Sequence, residues 1–414
     1  MLRINSGLVL GLWAATIVAA FAVGRITTPT EAAGAPADLG AAVRSALAEA
    51  GSLERLGRTA NLMQHLDAET LPGVVAVYDR MLSVLDECEI RPFVEAWTRF
   101  DPTGALDHTL AWQFRTKQKF GVDAAIRGWA LRDPFEAQLV SEQIAQDHPT
   151  LREGSFQNLV IGWVQSEQKG LDSYVAGLSP MSRDEATGIV VGGLMRKGGP
   201  EPTLRWVDAM LAEEEHDWNF KKSVFRRGAR AVARWYPEQA AKWVVEHEGE
   251  NYAERGVQFV AEQWAEQDGA SAMQWVREQP AVESSDEATR SAFNRWSNVD
   301  RKGAEKWLRS ETLTPFHDPA IDAFARQIDK QRPREAVGWC ERIEDLDRQY
   351  GCLRATAVEW YRRDAVAAEE WLQTSPLTEE DRRAARTPKR KKQRARGAEG
   401  KRPTGRAGPA EGPR

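Results

Sequence analysis

A chain of 414 residues with 42% apolar and 28% charged side chains has the composition of a folded protein, long enough for two or three domains or one extended array. Its three cysteines, none in a C-x-x-C pair, exclude a disulfide-dense scaffold and offer no zinc or redox signature. The formal net charge of −5 conceals a division, because residues 387–414 carry ten Lys/Arg and two Glu, leaving −13 on the remainder.

In chain order, residues 7–24, "GLVLGLWAATIVAAFAVG", are uncharged. Such a stretch is at the short limit of a bilayer span and the long limit of a signal-peptide core. Arg25 interrupts any cleavage site directly after it, so residues 1–25 read as a single transmembrane helix. The alternative is a cleaved signal using "AGAPA" at 33–37. Gly7, Gly11, Ala15 and Ala19 share one helical face and read as ordinary small-residue content, with close approach of two anchors as the other reading. Arg3 and the terminal amine, against Arg25, favour a cytoplasmic amino terminus with the bulk of the chain periplasmic or otherwise extracytoplasmic. Residues 26–38 form a linker of tether composition, and 39–89 are helical in pattern but outside the periodicity that follows, as for a terminal cap.

From there the tryptophans recur. Trp243, Trp275, Trp307, Trp339 and Trp371 are spaced by 32, and Trp206 precedes them by 37 with Tyr174 a further 32 upstream. A second register lies eleven residues earlier at Trp97, Trp129, Trp163, Met195, Val232, Trp264, Trp296, Ile328 and Trp360. Together the registers hold twelve of the sixteen tryptophans. Four residues after the earlier register come Asp101-Pro102, Asp133-Pro134, Asp268, Asp300 and Asp364, with Tyr236-Pro237 and Arg332-Pro333 keeping only the proline. Asp caps a helix start and Pro suits its first position, so each such point closes one helix and opens the next. Four residues further stand Ala105, Ala137, Ala240, Ala272, Ala304, Ala336 and Ala368.

The helix before each junction carries an i, i+3, i+4, i+7 stripe, for example Val257, Val260, Ala261 and Trp264, or Phe156, Leu159, Val160 and Trp163. Each unit is therefore a helix, a sharp turn and a shorter helix. One hairpin cannot bury its own apolar face, which predicts an all-α fold: a right-handed α-solenoid of about nine 32-residue hairpins over residues 90–376. The small Ala admits a neighbouring helix and the Trp fills the gap between units. Burying about 200 Å² of indole at ~25 cal/mol per Å² is worth up to roughly 5 kcal/mol.

The run D-[P]-x-x-A-x-x-W resembles the junction of tetratricopeptide repeats, where Asp-Pro precedes a helix bearing Ala and Trp. The period here is 32 instead of 34, and no Leu-Gly…Tyr run follows the Trp. The chain is more similar to Trp-rich, Asp-Pro-Ala helical-hairpin repeats of bacterial proteins. That resemblance covers residues 90–376 and implies an architecture, with no catalytic residue attached.

The pattern breaks twice. The excess between Met195 and Val232 falls in "LAEEEHDWNFKK", where Glu213, Glu214, Glu215 and Asp217 precede the off-register Trp218 and Phe220. Acids beside aromatics suit a loop that contacts a partner, whereas a solvated loop tucking its Trp onto the next hairpin is the plainer reading. At the carboxyl end Thr378 and Asp381 offer a capping box, but Pro388 and the Arg/Gly/Pro run after it end the repeat, so 377–414 reads as a truncated repeat with a disordered basic tail.

The six histidines (His65, His108, His148, His216, His247, His317) fall in no metal-binding spacing, and no nucleophile elbow, phosphate loop or dinucleotide fingerprint is present, so no cofactor is expected. Cys340 and Cys352 fall on adjacent helices and read as two small core residues, with a disulfide open to them in an oxidising compartment. The function expected is a membrane-anchored helical-repeat scaffold that binds a protein or peptide. An α/α enzyme acting on cell-wall carbohydrate is the first alternative. Binding of nucleic acid or anionic lipid through the tail is the second, with nucleic acid not the expected partner.

Overall fold

In the computed structural model, residues 36–279 and 285–387 are described. The membrane-span reading of residues 7–24, most of the linker and the basic tail lie outside them. Among the described residues the chain is all-α, with 22 α-helices, three short 3-10 turns and no strand, and no described helix is long and apolar enough to cross a membrane.

The chain divides into two units, one ending at Val224 and the other beginning at Phe225. The first contains α1 (Leu39–Leu47), α2 (Ser52–Leu62), α3 (Leu71–Met81), α4 (Glu87–Trp97), α5 (Pro102–Leu110), α6 (Arg115–Ala130), α7 (Pro134–Asp147), α8 (Arg152–Ser166), α9 (Leu171–Gly177), α10 (Pro180–Gly198) and α11 (Pro200–Ala212). The division falls inside α12 (Trp218–Ala233). The second unit continues with α13 (Pro237–Glu246), α14 (Gly256–Trp264), α15 (Gly269–Glu278), α16 (Ser285–Val299), α17 (Arg301–Ser310), α18 (Asp318–Ile328), α19 (Pro333–Cys340), α20 (Leu346–Arg363), α21 (Ala365–Thr374) and α22 (Glu379–Arg386).

Within each unit the packing alternates. The first helix of a hairpin lies on the first helix of the next, as α4 on α6, α6 on α8 and α8 on α10, and likewise α14 on α16, α16 on α18 and α18 on α20. The shorter second helix packs against its own partner, as α17 on α16, and against the first helix of the next hairpin, as α5 on α6.

The turn between the two helices is the same at the seven Asp, Tyr and Arg junctions. The N–H of Asp101, Asp133, Asp268, Asp300 and Asp364 donates to the carbonyl of the register residue four positions back. The carboxylate then caps the next helix: Asp101 accepts from Gly104 N–H at 2.9 Å, Asp268 from Ser271 at 3.0 Å and Asp364 from Ala367 at 3.0 Å. Tyr236 and Arg332 make the same backbone turn without a side-chain cap, and the following proline starts the helix.

All seven alanines four residues past these caps are fully buried. At α15 even a methyl group is too large. A Cβ on Gly269 would collide with the Trp296 ring. Trp97, Trp129, Trp163, Trp243, Trp296, Trp339 and Trp360 are buried, while Trp206, Trp264, Trp275, Trp307 and Trp371 are half-buried. Of that second group, all but Trp206 pack on the core of the second unit. Paired rings span the two registers: Trp264–Trp275, Trp296–Trp307 and Trp360–Trp371 have centroids 5.9, 5.6 and 6.0 Å apart.

Cys340 and Cys352 correct the sequence reading of two separate small residues. They form a disulfide between α19 and α20, with Cα atoms 5.5 Å apart. A helix and the first helix of the next hairpin bring two sulfurs into register because both positions face the shared core. Residues 378–386 do form a capped helix, with Thr378 Oγ1 accepting from Asp381 N–H at 3.2 Å.

Candidate functional site

The loop after α11 is built by one carboxylate. Asp217 accepts the N–H of Phe220 at 3.0 Å through Oδ1 and receives Arg183 Nη1 at 2.8 Å on Oδ2. The first contact caps α12 and the second ties it to α10. Together they hold the Asp217 carboxyl below the usual carboxylate range, the Phe220 N–H being the larger cause and Arg183 the next. Ser223 adds a second tie to α10 through Asp184. His216 Nδ1 lies 2.8 Å from the Met210 carbonyl, turning the chain back on the end of α11.

This arrangement sorts the residues singled out from the sequence into two sets. Phe220 is 3% exposed, covered by the Arg183 guanidinium at 4.6 Å and met edge-on by His216 at 4.9 Å. Its place as a partner-facing residue is therefore corrected. It anchors the loop with its ring in the core, while its N–H is capped by the exposed Asp217 carboxylate. Trp218, on the outer face of the same turn, is 47% exposed with Lys222 Nζ 4.5 Å above its ring. Glu213, Glu214, Glu215 and Asp217 are exposed. The surface that remains is three successive glutamates beside a half-exposed indole, held on a turn whose backbone is pinned from beneath. Such a surface is complementary to a cationic or apolar one.

Sequence reasoning passed over Trp235 and read Tyr236 only as a helix junction; the two are 67% and 44% exposed at the turn between α12 and α13. The signal was present, since Trp235 belongs to neither register. The Arg234 guanidinium stands 5.7 Å from the Trp235 ring centre.

The carboxylates elsewhere serve the frame. Asp318, buried, accepts the N–H groups of Glu344 and Asp345 at 3.1 and 2.8 Å. Glu305 lies between Arg332 at 2.9 Å and Arg309 at 2.9 Å. The Arg332 hydrogen bond is the main cause that lowers its pKa to about 2, with Arg309 adding to it against the effect of burial. His317 is buried, accepts the Arg277 guanidinium at Nε2 (3.1 Å) and faces Thr314 with Nδ1. Burial first, and Arg277 next, keep its pKa below that of a free imidazole. No group of three or more His, Cys, Asp or Glu that could hold a metal ion occurs among the described residues.

The chain matches no family model, no curated protein and no solved structure.

Proposed function

We propose that the protein is a membrane-anchored, extracytoplasmic helical-repeat scaffold that binds another protein through the acidic and aromatic surface at residues 213–218. In this reading each unit is a right-handed α-solenoid segment, and the pinned loop is an insertion that the repeat tolerates because it serves recognition. The carrying observation is the exposed Trp218 beside Glu213, Glu214 and Glu215 on a turn fixed by Asp217 and Arg183. An indole costs free energy to leave in water, and a rigid one loses little conformational entropy on binding. The uncharged segment at 7–24 supports the anchor, and the Cys340–Cys352 bond supports an oxidising compartment.

Two measurements on the full chain in its own membrane test this. A photo-crosslinking amino acid at position 218 is expected to capture one discrete partner that the same group at exposed Leu53 does not capture. Equal capture at both positions overturns the proposed surface. Exposed Cys88 carries the only free thiol among the described residues, so a membrane-impermeant maleimide is expected to label it in intact cells. Labelling only after lysis overturns the extracytoplasmic placement.

A further inference from the structure

In the later register each tryptophan has an aromatic neighbour, with one exception. Trp275, Trp307 and Trp371 face the indoles described above, Trp243 stacks on Phe225 at 4.8 Å, and Trp339 takes the edge of Phe324 at 5.4 Å. Among the described residues Trp206 meets no ring. Its register partner is Met195, followed by Gly198 and Gly199 and preceded by Gly192 and Gly193. Where other hairpins hold a ring pair, a cavity of about 430 Å³ opens between the α8–α9 and α10–α11 hairpins.

The walls of this cavity are apolar and its mouth is polar. Trp163, Val190, Leu194, Pro202 and Trp206 line it, and residues 167–172 close one side. Glu167 adopts φ +60°, the one described non-glycine residue in left-handed backbone, and Gly170 follows at φ +99°. Left-handed backbone at a glutamate costs about 1 kcal/mol or more and persists where the surroundings hold it. Here Lys197 holds Glu167 at 2.5 Å across the mouth. Asp172 fixes the Trp206 indole through its Nε1 at 2.6 Å.

We infer that this cavity is a binding site for an aromatic side chain of a partner polypeptide, its ring stacking on Trp206 where the repeat lacks one. The volume lies in the range of ligand pockets and accommodates a ring with the backbone that carries it. The paired charges at the mouth suit peptide groups, which are polar and uncharged. That the ring comes from a polypeptide rests on the scaffold reading above, whereas the site itself does not.

The test uses the full chain in nanodiscs and N-acetyl-tyrosinamide as probe, followed by the indole N–H signals of Trp163 and Trp206 in NMR. Both signals are expected to shift saturably. N-acetyl-phenylalaninamide is expected to bind comparably, and N-acetyl-leucinamide to leave both signals unmoved. Leu194→Trp fills the cavity, and Trp206→Ala removes the stacking face. Each is expected to weaken the probe by about tenfold or more, with thermal unfolding checked to show that the chain stays folded. An absent or non-saturating shift, a leucine analogue as good as the tyrosine one, or unchanged affinity in both folded variants overturns the site. Those failures leave the crosslinking at position 218 untouched, so the two proposals fail separately.

Discussion

The α16–α17 hairpin and the α10–α11 hairpin are built on one register and differ in what fills it. In the former, Trp296 and Trp307 pair at 5.6 Å over a fully buried Ala304, and Asp300 caps the junction through Gly303 N–H at 2.9 Å. In the latter, Met195 replaces the first ring, Gly199 stands at the capping position with φ +76°, and Thr203 takes the alanine position. The first closes its interior; the second leaves a cavity beside Trp206. The difference teaches that the backbone turn suffices to continue the array, while the rings and caps supply its stability. A hairpin short of them is free to be used for something else.

The largest expected effect is on the closed side. Trp339→Ala removes a buried indole that touches Phe324, and is expected to cost about 4 kcal/mol. For a unit of this size that is a fall of roughly 10 °C in unfolding temperature. Trp206→Ala, half-buried beside a cavity, is expected to cost much less, and equal losses would erase the contrast.

Next is the disulfide. Reduction, or Cys352→Ser, releases a short cross-link and is expected to destabilise the second unit by about 3 kcal/mol on the chain-entropy account. Hydrogen exchange is expected to rise in peptides of α19 and α20 and to stay unchanged in α4 to α8. A uniform rise would show that the bond does not act locally.

Asp300→Ala removes the side-chain cap that α17 has and α11 lacks, at an expected cost of about 1 kcal/mol. Urea midpoints measure it, and no change would mean that the backbone turn alone holds the junction.

The smallest effect is a pH dependence. His317 has a folded pKa below its unfolded value of 6.5, so its contribution is present above that pH and declines as pH falls through it toward the folded value. Lowering pH from 7 to 5 is expected to lower the unfolding temperature of the chain slightly, and His317→Gln to flatten that part of the profile. A profile unchanged by the substitution would remove His317 as its source.

Much of this frame was legible in the sequence because it obeys short-range rules. An Asp four residues past a Trp, with Ala four further on, is a cap and a close approach that local chemistry specifies. The loop was legible only in part. Glu213 to Trp218 could be seen as off-pattern, but the burial of Phe220 depends on Arg183, 37 positions earlier, which no local spacing reveals. The same holds for the disulfide, set by the packing of α19 on α20, and for the cavity at Trp206, which is the absence of a ring and leaves no motif. Residues 7–24 and 388–414, which the sequence marks by composition, fall outside the described residues.

The central claim is that this chain uses tryptophan in two ways, as frame where it is buried and as a contact where it is exposed. Thermal unfolding and crosslinking on the same pair of variants test it most directly. Trp163→Ala, 1% exposed, is expected to lower the unfolding temperature by roughly 10 °C, whereas Trp218→Ala is expected to leave it within about 1 °C. With the crosslinker moved to Glu214, Trp218→Ala is also expected to abolish partner capture. A Trp218→Ala chain that melts as early as Trp163→Ala, or that captures its partner undiminished, would contradict the account.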